Sequence, residues 1–214
     1  MVFTGDEFAD GGEHIRLTLK KHHTPASFFF TGNLYSNPDF QTLIKELKKD
    51  GHYLGPHSDK HLLYADWIKR DSLLIDKQEF RKDLLANFDR MKKFNVSKQD
   101  VPYYIPPYEW YNKTTVIWAK ELGLQTLNFS SGTRSNADYT YPAMGKNYRS
   151  SNEIYQSILQ YEATAEHGLN GFILLIHIGT DSRRTDKFYY KLDQLLSELE
   201  NKNYSFLRID DLLN

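Results

Sequence analysis

Short apolar runs alternate with amphipathic segments along most of the chain. The apolar runs are bounded by Pro, Gly or polar residues, as is typical of buried strands, and they cover residues 2–4, 26–30, 53–54, 101–105, 124–129, 172–176 and 204–209. Apolar residues at helical spacing predict helices over residues 13–22, 38–50, 73–94, 112–123, 152–165 and 187–199, with a short helical tail. The helical pattern is weakest in 152–165. The apolar run 62–65 also looks helical.

This alternation of about seven strands with helices predicts a parallel sheet that carries its helices on the outside. The chain has 214 residues, which suits a single domain over 1–214 with a sizeable core. At this length we expect a closed or nearly closed α/β barrel rather than an open sheet. Residues 130–150 are polar, rich in Tyr and Asn, and too long for a plain connection, which indicates a functional loop.

Composition narrows the classes of function. The net charge of −1 argues against a nucleic acid or an anionic membrane as partner. The absence of cysteine excludes disulfides and thiolate metal sites. No apolar run approaches a membrane span and no signal peptide is recognisable. Met1 directly precedes the first predicted strand, as expected for a domain excised from a longer protein. Aromatic residues make up 14% of the chain, with fifteen Tyr, which suits a groove that stacks on sugar rings.

Two histidines follow the third predicted strand, in the segment Gly55-Pro56-His57-Ser58-Asp59-Lys60-His61. Histidines four residues apart lie on one face of a helical turn, which Ser58 and Asp59 can cap. Two imidazoles on one face can bind a single metal ion. Unrelated histidines in a polar turn would share this spacing, so the interpretation depends on the rest of the chain.

The ends of the other predicted strands supply polar partners. In an α/β barrel, functional groups collect at the carboxyl ends of the strands. These ends carry Asp6, Glu7, Asp10, the two histidines, Pro107, Tyr108, Arg134, Asp138 and His177. A carboxylate and two histidines around one divalent ion leave positions open for water and substrate, as in hydrolytic metal sites. His177 would then face the ion as a proton donor.

Four segments resemble the motifs of one family, the polysaccharide deacetylases of carbohydrate esterase family four. His57-Ser58-Asp59-Lys60-His61 is similar to the family's His-Ser/Thr-x-x-His motif, and residues 26–32 are similar to its second strand. Pro106-Pro107-Tyr108 resembles the end of its Arg-x-Pro-Tyr motif, and Leu175-Ile176-His177 its Leu-x-His motif. The resemblance implies a distorted (β/α)7 barrel. It also implies one divalent ion, usually zinc, held by an Asp-His-His set.

The first motif of that family, Thr-Phe-Asp-Asp-Gly, is altered here. Its first Asp acts as the base and its second binds the metal. One alignment places Ala9 at the base and Asp10 on the metal; the other places Gly5 at the base and Asp6 on the metal. We prefer the second, because its spacing to the next strand is more usual. The Arg of the third motif is also replaced, by Ile105 or Tyr104.

We therefore predict a metal-dependent hydrolase that removes acetyl groups from a carbohydrate, either O-acetyl from a xylan-like or N-acetyl from a chitin- or peptidoglycan-like sugar. Asp6, His57 and His61 would bind zinc, and His177 would be the acid. Asp10 is the favoured base and Glu7 the alternative, because Glu7 would point away from the site by strand alternation. Pro107, Tyr108, Trp110, Arg134 and Asp138 would bind the substrate. The alternative is an inactive domain that binds carbohydrate through Tyr108, Trp110, Tyr111, Tyr139 and Tyr141. The resemblance implies an extracellular or periplasmic protein.

Overall fold

A parallel four-stranded sheet forms the centre of the computed structural model, which describes residues 1–213. Its strands are β1 (Val2–Gly5), β2 (Ser27–Phe30), β3 (Tyr53–Pro56) and β6 (Leu175–His177), in the order β3-β2-β1-β6. Strand β1 pairs with both neighbours, Val2 being opposite Ser27 on one side and Leu175 on the other. All four residues of β2 are buried, as expected for a central strand covered on both faces.

A second, two-stranded parallel sheet consists of β4 (Tyr103–Tyr104) and β5 (Gln125–Thr126). The hydroxyl of Tyr53 on β3 joins it to the main sheet, donating to the Tyr103 carbonyl and accepting from the Tyr103 amide, each at 3.2 Å. Beyond β5, the Ser130 amide donates to the Ile173 carbonyl at 2.9 Å. The described strands therefore follow one another around a barrel that is interrupted at two places and is not closed by continuous ladder pairing.

Helices follow most of the strands. They are α1 (Gly12–Lys21), α2 (Gly32–Ser36), α3 (Gln41–Lys49), α4 (Lys77–Met91), α5 (Lys113–Glu121), α6 (Ser151–Thr164), α7 (Leu192–Asn201) and α8 (Ile209–Leu212). Asn112 caps α5 and Ser150 caps α6, each with a reciprocal capping box. The box at Ser150 and Glu153 accounts for a regular α6 where the hydrophobic pattern was weak. The helices of the described residues are all too short or too polar to cross a lipid bilayer.

Three expectations about elements are wrong. Residues 204–209 do not form a strand: they are irregular up to α8, and the Ile209 amide bonds to the Ser27 hydroxyl rather than to a ladder partner. The run 62–65 is not helical, because Ala65 forms an isolated antiparallel bridge with Leu73. The long helix begins at Lys77 instead of residue 73, since the Asp76 side chain accepts from the Glu79 amide and caps it there.

Candidate active site

The carboxyl ends of β1, β3 and β6 open into a cleft of about 610 Å³. Loops after β4 and β5 complete its walls. Polar groups at its base and aromatic groups on its sides give it the character of a binding site. Its lining residues include Asp6, Glu7, His57, His61, Trp67, Tyr108, Glu109, Tyr139, Tyr141, Met144, His177 and Arg183.

Asp6 follows β1 directly, and residues that follow β2 hold its carboxylate in place. Its Oδ1 accepts from the Thr31 hydroxyl at 2.8 Å and from the side-chain Nδ2 of Asn33 at 3.0 Å. Its Oδ2 lies 3.9 Å from Nδ1 of His61. The structure thus brings Asp6 beside a predicted metal ligand, in keeping with the alignment that we preferred.

His57 and His61 are brought together by a loop and not by a helical turn, contrary to the prediction. Ser58 and His61 both have left-handed backbone conformations, with φ of 77° and 54°, which no helix tolerates. The carbonyls of Ser58 and Asp59 accept from the amides of Gly32 and Asn33, so the loop is fastened to the start of α2. The two imidazole centroids nevertheless lie 5.1 Å apart.

Helix α4 supports this loop through two buried polar side chains one turn apart. Asn87 Oδ1 accepts from the His57 amide at 3.0 Å, while Asn87 Nδ2 donates to the Phe30 carbonyl at 3.3 Å. Asp83 accepts from the amides of Asp59 and Lys60 at 3.1 and 3.0 Å. Neither side chain stood out in the sequence, because both occur within an ordinary amphipathic helix.

The first histidine has a defined tautomer. His57 Nδ1 lies 2.8 Å from the Ile105 carbonyl, which can only accept, so Nδ1 carries the proton and Nε2 is left with a free lone pair. Burial, with the neighbouring His61, lowers the pKa of His57. Burial also lowers the pKa of His61, although the Asp6 charge opposes the shift. Both rings are therefore neutral near pH 7, as metal ligands must be.

Asp6, His57 and His61 are the kinds of ligand that zinc binds, but Asp6 and His61 lie farther apart than two ligands of one zinc ion. A neutral imidazole oriented by a carbonyl, a second imidazole and a carboxylate form a donor set that zinc accepts. Ligands on one tetrahedral zinc ion lie ~3.4 Å apart, against 3.9 Å between Asp6 and His61. Within residues 1–213, no group of three or more His, Cys, Asp or Glu side chains could hold a metal ion as it stands.

His177 ends β6 and is clamped by one carboxylate from the long loop. Asp138 Oδ1 accepts from His177 Nδ1 at 2.6 Å, and Asp138 Oδ2 accepts from the His177 amide at 2.8 Å. Burial by itself would lower the pKa of His177, but the charge and hydrogen bond of Asp138 outweigh it, so the pKa is raised. Asp138, predicted to bind substrate, is instead buried behind the histidine and orients it.

The two predicted base candidates have different surroundings. Glu7 is exposed and lines the cleft. Asp10 is not among the lining residues: its carboxylate accepts from the Thr180 amide and the Tyr189 hydroxyl and pairs with Lys187, each at 2.8 Å. Burial would raise the pKa of Asp10, but these bonds, led by that of Lys187, lower it overall. The predicted role of Asp10 as base finds no support in this geometry.

Of the five predicted substrate-binding residues, Tyr108 alone is among the residues that line the cleft. Tyr108 lines the cleft and its ring lies 4.3 Å from that of His61. Trp110 stands behind Trp67, with ring centroids 5.4 Å apart, and its indole donates to the Asp66 carbonyl. Pro107 is buried, and Arg134 is exposed outside the cleft lining with its amide bonded to Ser157 on α6.

Aromatic side chains border the cleft on two sides, one next to His61 and the other next to His177. On the His61 side, Trp67 packs edge-on against Tyr108 and is 54% exposed. On the other side, Tyr139 lies 5.4 Å from the ring of His177 and is 48% exposed. Trp67 was missed because it lies in a segment without periodic pattern, although an isolated exposed Trp is itself a signal of binding.

Position 5, where the family's base would align, has no room for a side chain. A Cβ on Gly5 would lie 2.6 Å from Cγ2 of Ile178 and 2.7 Å from Cδ1 of Leu34. Real Cβ atoms do not approach other atoms so closely, and the surroundings are apolar. An aspartate at this position would therefore disturb the packing beside β1.

Comparisons with known proteins agree with this fold and cleft. The profile of the polysaccharide deacetylase family matches residues 6–127, so the chain belongs to that family. It is 28% identical over 200 residues to the peptidoglycan-N-acetylmuramic acid deacetylase PdaA of Bacillus subtilis, covering 91% of this chain and 63% of PdaA. It is 26% identical over 196 residues to a peptidoglycan-N-acetylglucosamine deacetylase of Bacillus cereus, covering 91% and 78%.

Solved structures of the family share the fold. PdaA superposes with a TM-score of 0.73 at 23% identity, over 99% of this chain and 78% of that one. A CE4 family pseudoenzyme from Bacillus anthracis gives a TM-score of 0.68 at 19% identity, over 100% and 65%. The predicted α/β fold of the polysaccharide deacetylase type is thereby confirmed. The chain spans 63% of the length of PdaA.

Proposed function

We propose that this chain is a metal-dependent deacetylase that removes acetyl groups from a carbohydrate polymer or oligomer. The observation that carries the proposal is the cleft in which His177, clamped by Asp138, shares one surface with Asp6, His57 and His61. Membership of the polysaccharide deacetylase family supports it. The relatives named as peptidoglycan deacetylases support an acetylated amino sugar as substrate and, with it, a location outside the cytoplasm.

The chemistry divides among the residues in a simple way. A divalent ion, which we propose to be zinc held by Asp6, His57 and His61, would supply Lewis acidity toward the acetyl carbonyl. His177 keeps its proton to a higher pH than an ordinary histidine and donates it to the leaving sugar oxygen or nitrogen. Asp138 holds the donating ring in one tautomer and orientation.

Acetate release from a panel of sugars tests the activity together with the metal. We expect turnover of N-acetylated chitooligosaccharides, peptidoglycan fragments or acetylated xylan by protein reconstituted with zinc. His57→Ala should lose both the bound zinc and at least 10²-fold in rate, because it removes a ligand. The molar ratio of zinc to protein is measured by elemental mass spectrometry of the desalted protein. A full equivalent of zinc in His57→Ala would contradict the ligand assignment independently of the activity.

Trp67 is proposed as a stacking surface for a sugar next to the reacting unit. Trp67→Ala is expected to weaken binding of the best oligosaccharide about tenfold, equivalent to ~1.4 kcal/mol, because an exposed ring face is lost. Ile68→Ala is the matched control, since Ile68 is 93% exposed and does not line the cleft. Calorimetric titration measures both. Equal affinities for the two variants would remove Trp67 from the groove.

A second candidate function is an inactive domain that binds carbohydrate. Glycine at the aligned base position favours it, and a family pseudoenzyme is among the similar structures. The same panel separates the two functions. Oligosaccharide binding that depends on Trp67, with no acetate released by the zinc-loaded protein, would establish the binding domain.

A further inference from the structure

Glu109 supplies a cleft-lining carboxylate that the sequence interpretation overlooked. Asp6 in the cleft lining, and Asp10 and Asp138 outside it, are already engaged, as described above. Asp181 likewise accepts from the Arg183 guanidinium at 3.0 Å. Among the described residues, the carboxylate of Glu109 has no hydrogen-bond or salt-bridge partner, although the residue is half-buried and lines the cleft. It is therefore available to a water molecule or a substrate.

The backbone around Glu109 is held in an uncommon conformation. Tyr108 and Glu109 are consecutive left-handed residues, with φ of 59° and 52°, and neither is a residue that favours this region. Two hydrogen bonds maintain the turn. The Glu109 amide donates to the Pro106 carbonyl at 3.0 Å, and the Asn128 side-chain amide donates to the Glu109 carbonyl at 3.0 Å. Such conformations persist where the surroundings enforce them, most often at functional sites.

The charges around Glu109 suit proton transfer. Burial raises the pKa of Glu109 to about 7, with His177 opposing and Asp138 reinforcing the shift. Glu109 and the proposed acid, His177, both line the cleft. A base with a pKa near the working pH combines a large ionised fraction with useful proton affinity. Glu7, the alternative from the sequence, is exposed at the rim.

We propose that Glu109 is the catalytic base of this deacetylase, in place of the aspartate that the family carries in its first motif. The assignment rests on the proposed function. The Glu109 carboxylate takes a proton from a water molecule as the water oxygen bonds to the acetyl carbonyl carbon. The protonated His177 then gives its proton to the sugar oxygen or nitrogen as the bond from that atom to the carbonyl carbon breaks. Acetic acid and the free hydroxyl or amine leave, and acetic acid gives its proton to solvent to become acetate. The proton held by Glu109 passes to His177, which restores both groups.

The decisive comparison uses Glu109→Gln, Glu7→Gln and Asp10→Asn, with Glu166→Gln as a control at an exposed position outside the cleft. Steady-state kinetics on the best acetylated substrate are measured from pH 5 to 9. Glu109→Gln is expected to lower kcat by about 10²–10⁴-fold with an unchanged melting temperature and zinc content. Glu166→Gln should match the wild type. In the wild type kcat/KM should rise with pH through about 7, the pKa of Glu109, and this rise should be absent from Glu109→Gln.

Chemical rescue distinguishes a catalytic from a merely structural carboxylate. Added formate should restore activity to Glu109→Ala in proportion to its concentration, because formate can enter the space left by the side chain. An active wild type whose rate survives in Glu109→Gln, or falls only in Glu7→Gln or Asp10→Asn, would overturn the assignment and leave the deacetylase function standing. A wild type without turnover on any substrate in the panel would overturn both.

Discussion

Asp138→Asn is expected to lower the kcat of deacetylation by about 10²–10⁴-fold, the loss typical when the group that orients a catalytic histidine is made neutral. Both oxygens of Asp138 accept hydrogen bonds from His177, one from the ring and one from the backbone. An asparagine can accept only one of them and must turn an N–H toward the other donor. The imidazole then loses the acceptor that fixes its tautomer and the negative charge that stabilises its protonated form.

The pH dependence of this variant follows from the direction of the shift. Asp138 raises the pKa of His177, so the acid form persists above the ordinary value of about 6.5 and activity falls only as the pH rises through the raised pKa. In Asp138→Asn this fall should move to lower pH. The pair also stabilises the fold below the ordinary histidine pKa, and that stabilisation is lost as the pH rises through the raised value.

Rate profiles and thermal melts of Asp138→Asn and the wild type between pH 5 and 9 check this. Asp186→Asn is a useful control, since the Asp186 carboxylate accepts from the Ser151 amide at the start of α6 and has no hydrogen bond to His177. A kcat within threefold of the wild type, or an unmoved alkaline limb, would show that Asp138 does not govern the acid.

Gly5→Asp, the substitution that would recreate the family's first motif, is expected to destabilise the protein instead of activating it. The new Cβ would lie within 3 Å of both Ile178 and Leu34, and the carboxylate would enter apolar surroundings. Overpacking and an unpaired polar group together cost about 2–4 kcal/mol. For a chain of this size that lowers the melting temperature by about 5–15 °C.

Gly5→Ala separates the two contributions, because it adds the Cβ without the charge. We expect it to lose stability through overpacking alone, and therefore less than Gly5→Asp. Calorimetry gives the melting temperatures, and acetate release gives the activity. A Gly5→Asp protein as stable as the wild type and more active would mean that the aspartate finds a route into the cleft, and that Gly5 is the vacated base position.

Local patterns in the sequence determined much of the architecture. Buried runs such as residues 26–30 have few alternatives to a central strand, and caps such as Asn112 define helix ends through short-range hydrogen bonds. The family motifs also predicted His57, His61 and His177 as site residues, and the fold brings all three to one cleft. The predicted strand at 204–209 was wrong because alternation alone does not reveal whether a neighbouring strand has free ladder groups.

Tertiary structure decided which of these side chains act together. Only the fold shows that Asp6 lies beside His61 while Asp10 is bonded to Lys187 and Tyr189, since both follow the same strand and the sequence offers an alignment for each of them on the metal. Only the fold places Glu109 in the cleft, through a left-handed turn that no residue pattern announces. The physical reason is the same in both cases: the sequence specifies short-range conformation, whereas hydrogen-bond partners and burial from distant segments determine which carboxylate is engaged and which is free to react.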